Sequence, residues 1–139
     1  MSAALSMLIV DTDVVSYIFK GDTRGASYEA QLSGKLAYIN FQTVAELEQW
    51  AIRRGWGARK HADLLAFLTS RFAVIESSPQ LCRKWAEVRE QVRNAGRLIQ
   101  PADAWIGATA ALYSVPLMTH NASDYQGVAG LTIISDSTP

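Results

Sequence analysis

Short apolar runs alternate with longer amphipathic segments along the chain. The runs are rich in branched and aromatic residues and end beside turn-forming residues, which is typical of buried strands. Predicted strands cover residues 7–10, 35–39, 72–76, 115–119 and 131–134. Between the strands, apolar residues recur at helical spacing, and predicted helices cover residues 13–20, 24–32, 40–54, 58–70, 78–96 and 101–113. This alternation favours an α/β fold whose mainly parallel sheet carries helices on both faces.

The length and composition fit one hydrophobic core, since 49% of the 139 residues are apolar. We expect a single domain over residues 1–139, with residues 1–6 as a candidate disordered leader before the first strand. No apolar run reaches the roughly 18 residues that cross a bilayer, and the first residues lack the positive flank of a signal peptide. The single cysteine, Cys82, allows no internal disulfide. These features predict a cytoplasmic protein without a membrane segment.

The charges of the chain balance, with thirteen basic and thirteen acidic side chains. A formal net charge of zero argues against attraction of the whole molecule to nucleic acid. Two local clusters of basic residues remain as candidates for contacts with a nucleic-acid backbone. They are Arg53, Arg54, Arg59 and Lys60, and then Arg83, Lys84, Arg89, Arg93 and Arg97. Solvated helix faces explain each cluster about as well.

Acidic and amide side chains follow two predicted strands and lie near the start of two predicted helices. Asp11 ends the first strand, while Asn121 and Asp124 follow the fourth. We expect Glu46 and Asp103 in the first turns of their helices. In a parallel sheet, strands end and the helices after them begin at the same edge. The topology therefore predicts that these five side chains meet at one rim.

Each of these residues also has a purely structural explanation. Asp11 and its neighbour Asp13 suit the cap of the helix that follows, and the segment Thr43 to Glu46 fits a capping box. Asp103 would be stabilised by a helix dipole, and the residues after the fourth strand suit a turn. For any one residue alone, capping is the stronger interpretation. The joint pattern favours a shared site.

Carboxylates gathered at one rim repel one another, and some would take up protons at neutral pH unless a cation lay among them. All the candidate ligand atoms are oxygens, which favours Mg²⁺ or Mn²⁺ over zinc. Such an ion can activate a water molecule and neutralise a phosphate oxygen. The pattern therefore points to metal-dependent hydrolysis of a phosphodiester by in-line attack of water.

Four segments occur together in a specific order and spacing: Leu8 to Asp13, Thr43 to Leu47, Ile99 to Leu112, and Leu117 to Tyr125. With these segments the chain resembles PIN-domain ribonucleases, and in particular the VapC type of toxin from bacterial toxin–antitoxin pairs. The resemblance extends from Met7 to about Ile134. It implies a three-layer α/β/α sandwich around a sheet of about five short strands.

The resemblance also implies the roles of the acids. Asp11, Glu46 and Asp103 correspond to the three main metal-site acids of the family, and the fourth acidic position falls at or near Asn121, which is an amide here. Asp124 matches a nearby family acid that precedes an aromatic residue. Either Asp124 supplies the fourth charge, or the site works with three acids. Asp13, where many relatives carry an uncharged polar residue, is interpreted as an outer ligand or a helix cap.

The activity implied by the resemblance is cleavage of RNA, often structured RNA such as tRNA, with Mg²⁺ or Mn²⁺ as cofactor. The implied partners are a cognate VapB-type antitoxin and a second copy of the chain in a homodimer. Aromatic residues, either on these interfaces or in the core, include Tyr28, Trp50, Trp56 and Phe67.

Two alternatives stay open at this point. Asp11 to Val15 also fits the start of a haloacid-dehalogenase-like phosphatase, in which Asp11 would be the nucleophile and Asp13 the general acid. That class leaves Glu46 without a role, and its second acidic motif is absent from the sequence. The other alternative is a catalytically dead PIN fold that acts only as a binding module.

Overall fold

The computed structural model describes residues 6–136, which form a five-stranded sheet with helices on both faces. The strands are β1 (Met7–Val10), β2 (Leu36–Asn40), β3 (Ala73–Ile75), β4 (Leu117–Met118) and β5 (Ile133–Ile134). Their order across the sheet is β3-β2-β1-β4-β5, and all four pairings are parallel. The predicted parallel sheet is confirmed, with β1 at its centre.

Six α-helices connect the described strands, as the apolar spacing predicted. They are α1 (Thr12–Lys20), α2 (Thr23–Leu32), α3 (Phe41–Arg53), α4 (Ala58–Arg71), α5 (Pro79–Asn94) and α6 (Pro101–Tyr113). A short 3-10 helix, Ala122–Tyr125, replaces the simple turn expected after β4. It matters for the site because it carries Asp124 and Tyr125.

The alternating side chains of β1 divide the apolar residues into two cores. Leu8 and Val10 face a core that includes residues of α1, α2, α3 and α4, whereas Ile9 faces a core built with α5 and α6. Successive residues of a strand point to opposite faces of a sheet, so Leu8, Ile9 and Val10, which are all buried, are apolar on both faces. The three-layer α/β/α arrangement is thereby confirmed.

Asn40 fixes the helices on the two faces relative to each other. It ends β2 and caps α3, because its side-chain oxygen accepts a hydrogen bond from the Gln42 backbone N–H at 2.7 Å. Its amide nitrogen donates to Thr109 Oγ1 on α6 at 2.6 Å. Asn40 is fully buried, and buried amides are retained where both ends are satisfied. One side chain thus caps the start of α3 and contacts the middle of α6, and each of these helices contributes an acid to the site.

Close contact between α1 and α2 depends on Gly25. A Cβ atom at this position would lie 2.8 Å from the Ile18 backbone nitrogen, so only glycine lets the two helices approach this closely. The turn between them uses Gly21, whose φ of 69° is left-handed. This packing holds α1 against the sheet directly after Asp11.

Two predictions concern the ends of the chain and its domain organisation. Residues 1–5 of the predicted leader lie outside the described residues, while the Ser6 carbonyl accepts a hydrogen bond from Leu36 N at 2.8 Å. The single domain over residues 1–139 stays a prediction. In residues 6–136 every helix is too short or too polar to cross a membrane.

Candidate active site

A cavity of about 420 Å³ opens at the carboxyl edge of the sheet, beside the end of β1. All five residues predicted to form the site line it, together with Asp13: Asp11, Glu46, Asp103, Asn121 and Asp124. They come from four separate parts of the chain, so their proximity is a property of the topology and not of sequence spacing. Side chains after β1 and β4 meet because these strands are neighbours in the sheet.

Asp11 is the most deeply held acid of this cavity, with 7% of its surface exposed. One carboxylate oxygen caps α1 by accepting from Thr12 N at 2.7 Å. The other accepts hydroxyl hydrogen bonds from Thr119 and Tyr125, each at 2.8 Å. Burial raises the pKa of Asp11, while these donors and Thr12 N lower it and the charge of Asp124 raises it. The hydroxyls orient the carboxylate and offset part of the desolvation.

Glu46 reaches the cavity from α3, but not from the first turn as predicted. The helix begins at Phe41, so Glu46 lies in its second turn. The capping-box interpretation is wrong as well, because Asn40 caps this helix. The Thr43 hydroxyl instead lies 2.9 Å from Thr12 Oγ1, and Thr12 Oγ1 also lies 2.9 Å from Glu46 Oε1, to which it donates. Burial is the main cause of the raised pKa of Glu46.

Asp103 lies in the first turn of α6, as predicted. Burial raises its pKa to about 7, and the charges of Asp11, Asp124 and Glu46 contribute to the rise. Within residues 6–136 no hydrogen-bond donor satisfies its carboxylate, in contrast to Asp11 and Glu46. The Asp103 oxygens are therefore available to a ligand in the cavity.

Asp13 and Asn121 form a direct pair. One Asp13 oxygen accepts from the Asn121 amide nitrogen at 2.8 Å and from His120 N at 3.1 Å, and the other accepts from Val14 N at 2.7 Å. Burial and the charge of Asp11 raise the pKa of Asp13 to about 7. The Asn121 amide thus contacts Asp13, at whose position many relatives were expected to carry an uncharged polar residue. Asp13 thus lines the cavity and accepts hydrogen bonds both from α1 and from the segment after β4.

Asp124 and Tyr125 sit side by side on the 3-10 helix with opposite environments. Asp124 is exposed and lines the cavity, whereas Tyr125 is 3% exposed. Burial and the charge of Asp11 raise the pKa of Tyr125, which keeps its hydroxyl protonated as a donor to Asp11. The sequence analysis did not predict this donor, although the hydroxyl of a tyrosine directly after Asp124 was a visible signal.

Among the further cavity residues, Ser16, Lys20 and Gln49 were not anticipated from the sequence, whereas Arg53, which also lines the cavity, belongs to the first basic cluster. Ser16 and Lys20 reach the cavity from α1, and Gln49 and Arg53 reach it from α3. They occur one helical turn or more after the acids and carry no motif of their own. Two cations therefore border a cavity whose interior is acidic.

The aromatic residues that were candidates for an interface or the core differ in how deeply they are buried. Tyr28 is fully buried, and its hydroxyl lies 2.8 Å from His120 Nδ1 and accepts from Asp136 N at 2.8 Å. His120 is half-buried and packs edge-on against Tyr17 and Tyr28, next to Asp13, to which its backbone N–H donates. Phe67 is partly buried against the core, as are Trp50 and Trp56.

Electrostatics set the character of the cavity. Four carboxyl groups have a raised pKa, and burial is the first cause for each: Asp11, Asp13, Glu46 and Asp103. In the described range 6–136, no three His, Cys, Asp or Glu side chains have the spacing of a closed metal cage. The site is an open acidic cavity in which ionised carboxylates would repel one another at neutral pH.

Comparison with known proteins identifies the fold family. The family model of the PIN domain matches residues 8–131, which is most of the chain. The chain belongs to the PIN-domain family. The phosphatase alternative is therefore wrong, and Asp11 and Asp13 have to be interpreted within a PIN domain.

Individual relatives of this PIN domain agree with the match. VapC ribonuclease Y4jK from Sinorhizobium fredii is 29% identical over 143 residues, covering 96% of this chain and 99% of that protein. Among solved structures, VapBC2 from Rickettsia felis bound to a DNA fragment from its promoter aligns with a TM-score of 0.78 at 19% identity, over 93% of this chain and 98% of that one. VapBC-1 from nontypeable Haemophilus influenzae aligns with a TM-score of 0.77 at 23% identity, over 93% and 97%. The structural matches confirm the fold.

The raised pKa values predict how stability changes with pH. Asp13 and Asp103 have a pKa of about 7 in the folded protein, against about 4 in an unfolded chain. Between these values the folded state binds more protons, so the free energy of unfolding falls as pH rises. We expect a loss of roughly 2–4 kcal/mol between pH 5 and pH 8, most of it from the more buried Asp13. Urea denaturation in a chelating buffer, repeated across this pH range, measures the change in the free energy of unfolding.

The matched variants for this measurement are Asp103→Asn and Glu90→Gln, the latter on the exposed face of α5. Asp103→Asn removes a repelling charge, so it should stabilise the protein at pH 8 by roughly 1 kcal/mol and flatten the pH dependence. Glu90→Gln should leave the curve unchanged. A free energy of unfolding that stays constant or rises from pH 5 to pH 8 would contradict the conclusion that buried, mutually repelling carboxylates destabilise the folded protein.

Proposed function

We propose that this PIN domain is a VapC-type toxin, a divalent-metal-dependent endoribonuclease whose activity is controlled by a cognate antitoxin. One observation carries the proposal: Asp11, Glu46 and Asp103 converge with Asp124 on one cavity that is bordered by Lys20 and Arg53. Acids that hold a cation, next to cations that hold phosphate, suit a phosphodiester substrate. The relative from Sinorhizobium fredii, which matches over nearly its full length, is named a VapC ribonuclease.

The cavity fits a hydrated Mg²⁺ or Mn²⁺ ion. Its donors are carboxylate and amide oxygens, and the raised pKa of Asp103 and Asp13 means that a cation would be favoured there over retained protons. Mg²⁺ keeps several of its waters and needs only one or two direct carboxylates, so a closed cage of three side chains is not required. A bound ion would offset phosphate charge and make water a better nucleophile at neutral pH.

Other residues of the cavity orient the acids or would contact the ion and the RNA. Tyr125 and Thr119 hold Asp11 in one orientation, and Thr12 does the same for Glu46. Asp103 has no such donor among the described residues, so its oxygens can bind the ion or accept a proton from water. Lys20 and Arg53 would hold the RNA phosphates on the open side. Asp124 and Asn121 would complete the cavity wall.

The implied partners follow from the same family. The structural relatives from Rickettsia felis and Haemophilus influenzae are VapBC proteins, which supports a VapB-type antitoxin for this chain. The target is RNA, with structured RNA such as tRNA as the expected class. The homodimer stays a prediction. A cytoplasmic location, where an RNA toxin would act, also stays part of the proposal.

Expression in bacteria tests the activity directly. We expect the parent chain to arrest growth and to cleave RNA in vitro only when Mg²⁺ or Mn²⁺ is present. Asp11→Ala removes the carboxylate that Thr12, Thr119 and Tyr125 all orient, and should lower cleavage more than about a hundredfold. Asp136→Ala, an exposed acid outside the cavity, should retain full activity. Purified parent protein that leaves RNA intact with either ion would overturn the proposal.

A charge exchange tests whether Asp13 supplies the negative charge that the amide Asn121 lacks. Because Asn121 donates directly to Asp13, exchanging the two residues keeps the hydrogen bond and moves the charge across it. Asp13→Asn should weaken Mn²⁺ binding roughly tenfold, and the double variant Asp13→Asn/Asn121→Asp should recover most of the loss. Isothermal titration calorimetry at pH 8 measures both.

Two results of this titration would count against the assignments. Parent-like Mn²⁺ affinity in Asp13→Asn would reduce Asp13 to a helix cap. A parent protein that binds no Mn²⁺ would favour the catalytically dead PIN module.

A further inference from the structure

Three consecutive residues after β4 donate hydrogen bonds to two acids of the cavity. The Thr119 hydroxyl donates to Asp11 at 2.8 Å. The His120 backbone N–H and the Asn121 amide donate to Asp13 at 3.1 Å and 2.8 Å. The Asn121 backbone N–H also donates to Thr119 Oγ1 at 3.1 Å. We call these three residues the donor segment. A shift of the donor segment would move the hydrogen-bond donors of both acids together.

The side chain of His120 attaches the donor segment to α2. His120 Nδ1 lies 2.8 Å from the Tyr28 hydroxyl oxygen. The imidazole packs edge-on against the rings of Tyr28 and Tyr17, at centroid separations of 5.8 Å and 5.4 Å. Tyr28 is fully buried in α2 and does not line the acidic cavity. Any effect of its hydroxyl on the acids is therefore indirect and passes through the donor segment.

The direction of the hydrogen bond between Tyr28 and His120 follows from the other partner of the hydroxyl. The Asp136 backbone N–H donates to the Tyr28 oxygen at 2.8 Å, and Asp136→Ala retains this backbone contact. Among residues 6–136, His120 Nδ1 is the one acceptor within reach of the hydroxyl hydrogen. Buried hydroxyls are normally satisfied, so Tyr28 donates to Nδ1. In a neutral ring whose Nδ1 accepts, the hydrogen lies on Nε2.

We propose that Tyr28 is a positioning residue of the acidic site. Its hydroxyl fixes the His120 ring, and the ring holds the donor segment that orients Asp11 and Asp13. A donor segment without this attachment would have to be ordered when an ion binds, which lowers the affinity. The inference rests on the proposed function, because it concerns the binding of the divalent ion. The competing explanation is that Tyr28 only fills the core beside α2.

Isothermal titration calorimetry of the whole chain with Mn²⁺ at pH 8 tests the positioning role. Tyr28→Phe removes one hydroxyl and keeps the ring. It should weaken Mn²⁺ binding about fivefold, somewhat less than the loss of a direct hydrogen-bond partner of a metal ligand. The matched control is Tyr113→Phe, which removes the hydroxyl of a half-exposed tyrosine at the end of α6. This control should bind Mn²⁺ like the parent chain.

Two substitutions of His120 separate the hydrogen bond from the packing of the ring. His120→Asn keeps an acceptor oxygen close to the position of Nδ1, and should retain Mn²⁺ affinity within about twofold of the parent. His120→Leu offers no acceptor and should lose about as much affinity as Tyr28→Phe. The double variant Tyr28→Phe/His120→Leu should lose no more than either single variant, because both remove the same hydrogen bond.

The tautomer of His120 gives a measurement that depends on neither metal nor activity. Nitrogen-15 NMR of the imidazole rings in chelator at pH 8 should show the parent His120 with its hydrogen on Nε2. In Tyr28→Phe the ring should shift toward the Nδ1 tautomer. The chain has two histidines, so the spectrum of His120→Asn assigns the signals. Thermal melting identifies any loss of folding, and the parent tautomer and the His120 variants carry the test if Tyr28→Phe does not fold.

Parent-like Mn²⁺ affinity in Tyr28→Phe would overturn the inference, as would an equal loss in Tyr113→Phe or in His120→Asn. A parent His120 with its hydrogen on Nδ1 would also overturn it, since Tyr28 would then not be the donor. The proposed function is judged separately. A parent that binds Mn²⁺ but cleaves no RNA refutes only the nuclease. Mn²⁺ affinity that ignores Tyr28→Phe, in a chain that does cleave RNA, refutes only the positioning role.

Discussion

Carboxylates at the carboxyl edge of the sheet repel one another, and the structure around them has to offset this repulsion. Asp11, Asp13, Glu46 and Asp103 are held partly or fully out of water around one cavity. An arrangement of this kind opposes folding, since each charge costs desolvation energy and raises the pKa of its neighbours. The chain tolerates it because hydroxyl donors from Thr12, Thr119 and Tyr125 fix two of the acids. Destabilising acids retained at one rim are typical of a binding or catalytic site.

Much of the fold was predictable because its signals are local. The fully apolar run of β1 and the helical spacing after each strand reflect burial on one or two faces, which the sequence displays directly. Asp11 and Asp103 were predicted for the same reason, since one ends a strand and the other begins a helix. Parallel topology then brings such positions to a common edge.

The interactions that shape the site were less predictable because they join distant parts of the chain. The capping box at Thr43 was plausible locally, but Asn40 caps the helix because its amide also binds Thr109 on α6. Thr43 is then free to pair with Thr12. The Tyr125 hydroxyl reaches Asp11 across 114 residues of sequence. Such contacts depend on how helices cross the sheet, and no local pattern encodes that geometry.

The balanced charge of the chain conceals a strong separation in space. Acids line one cavity, and the cavity beside it is lined by Lys20, Arg59 and Lys60 together with Asp63. Three cations of α5, Arg83, Lys84 and Arg93, lie within 4.0 Å of acids of the same helix. A formal net charge of zero therefore does not conflict with a polyanionic substrate. Attraction of RNA would be local and would fall steeply with salt.

The central claim is that the acidic cavity exists to hold a divalent ion. The most direct measurement is an anomalous difference map from crystals of the protein grown at pH 8 and soaked in Mn²⁺. We expect a peak within the cavity, beside the oxygens of Asp11 and Asp103. A map without a peak there at a saturating concentration of Mn²⁺, or with a peak only elsewhere on the surface, would contradict it.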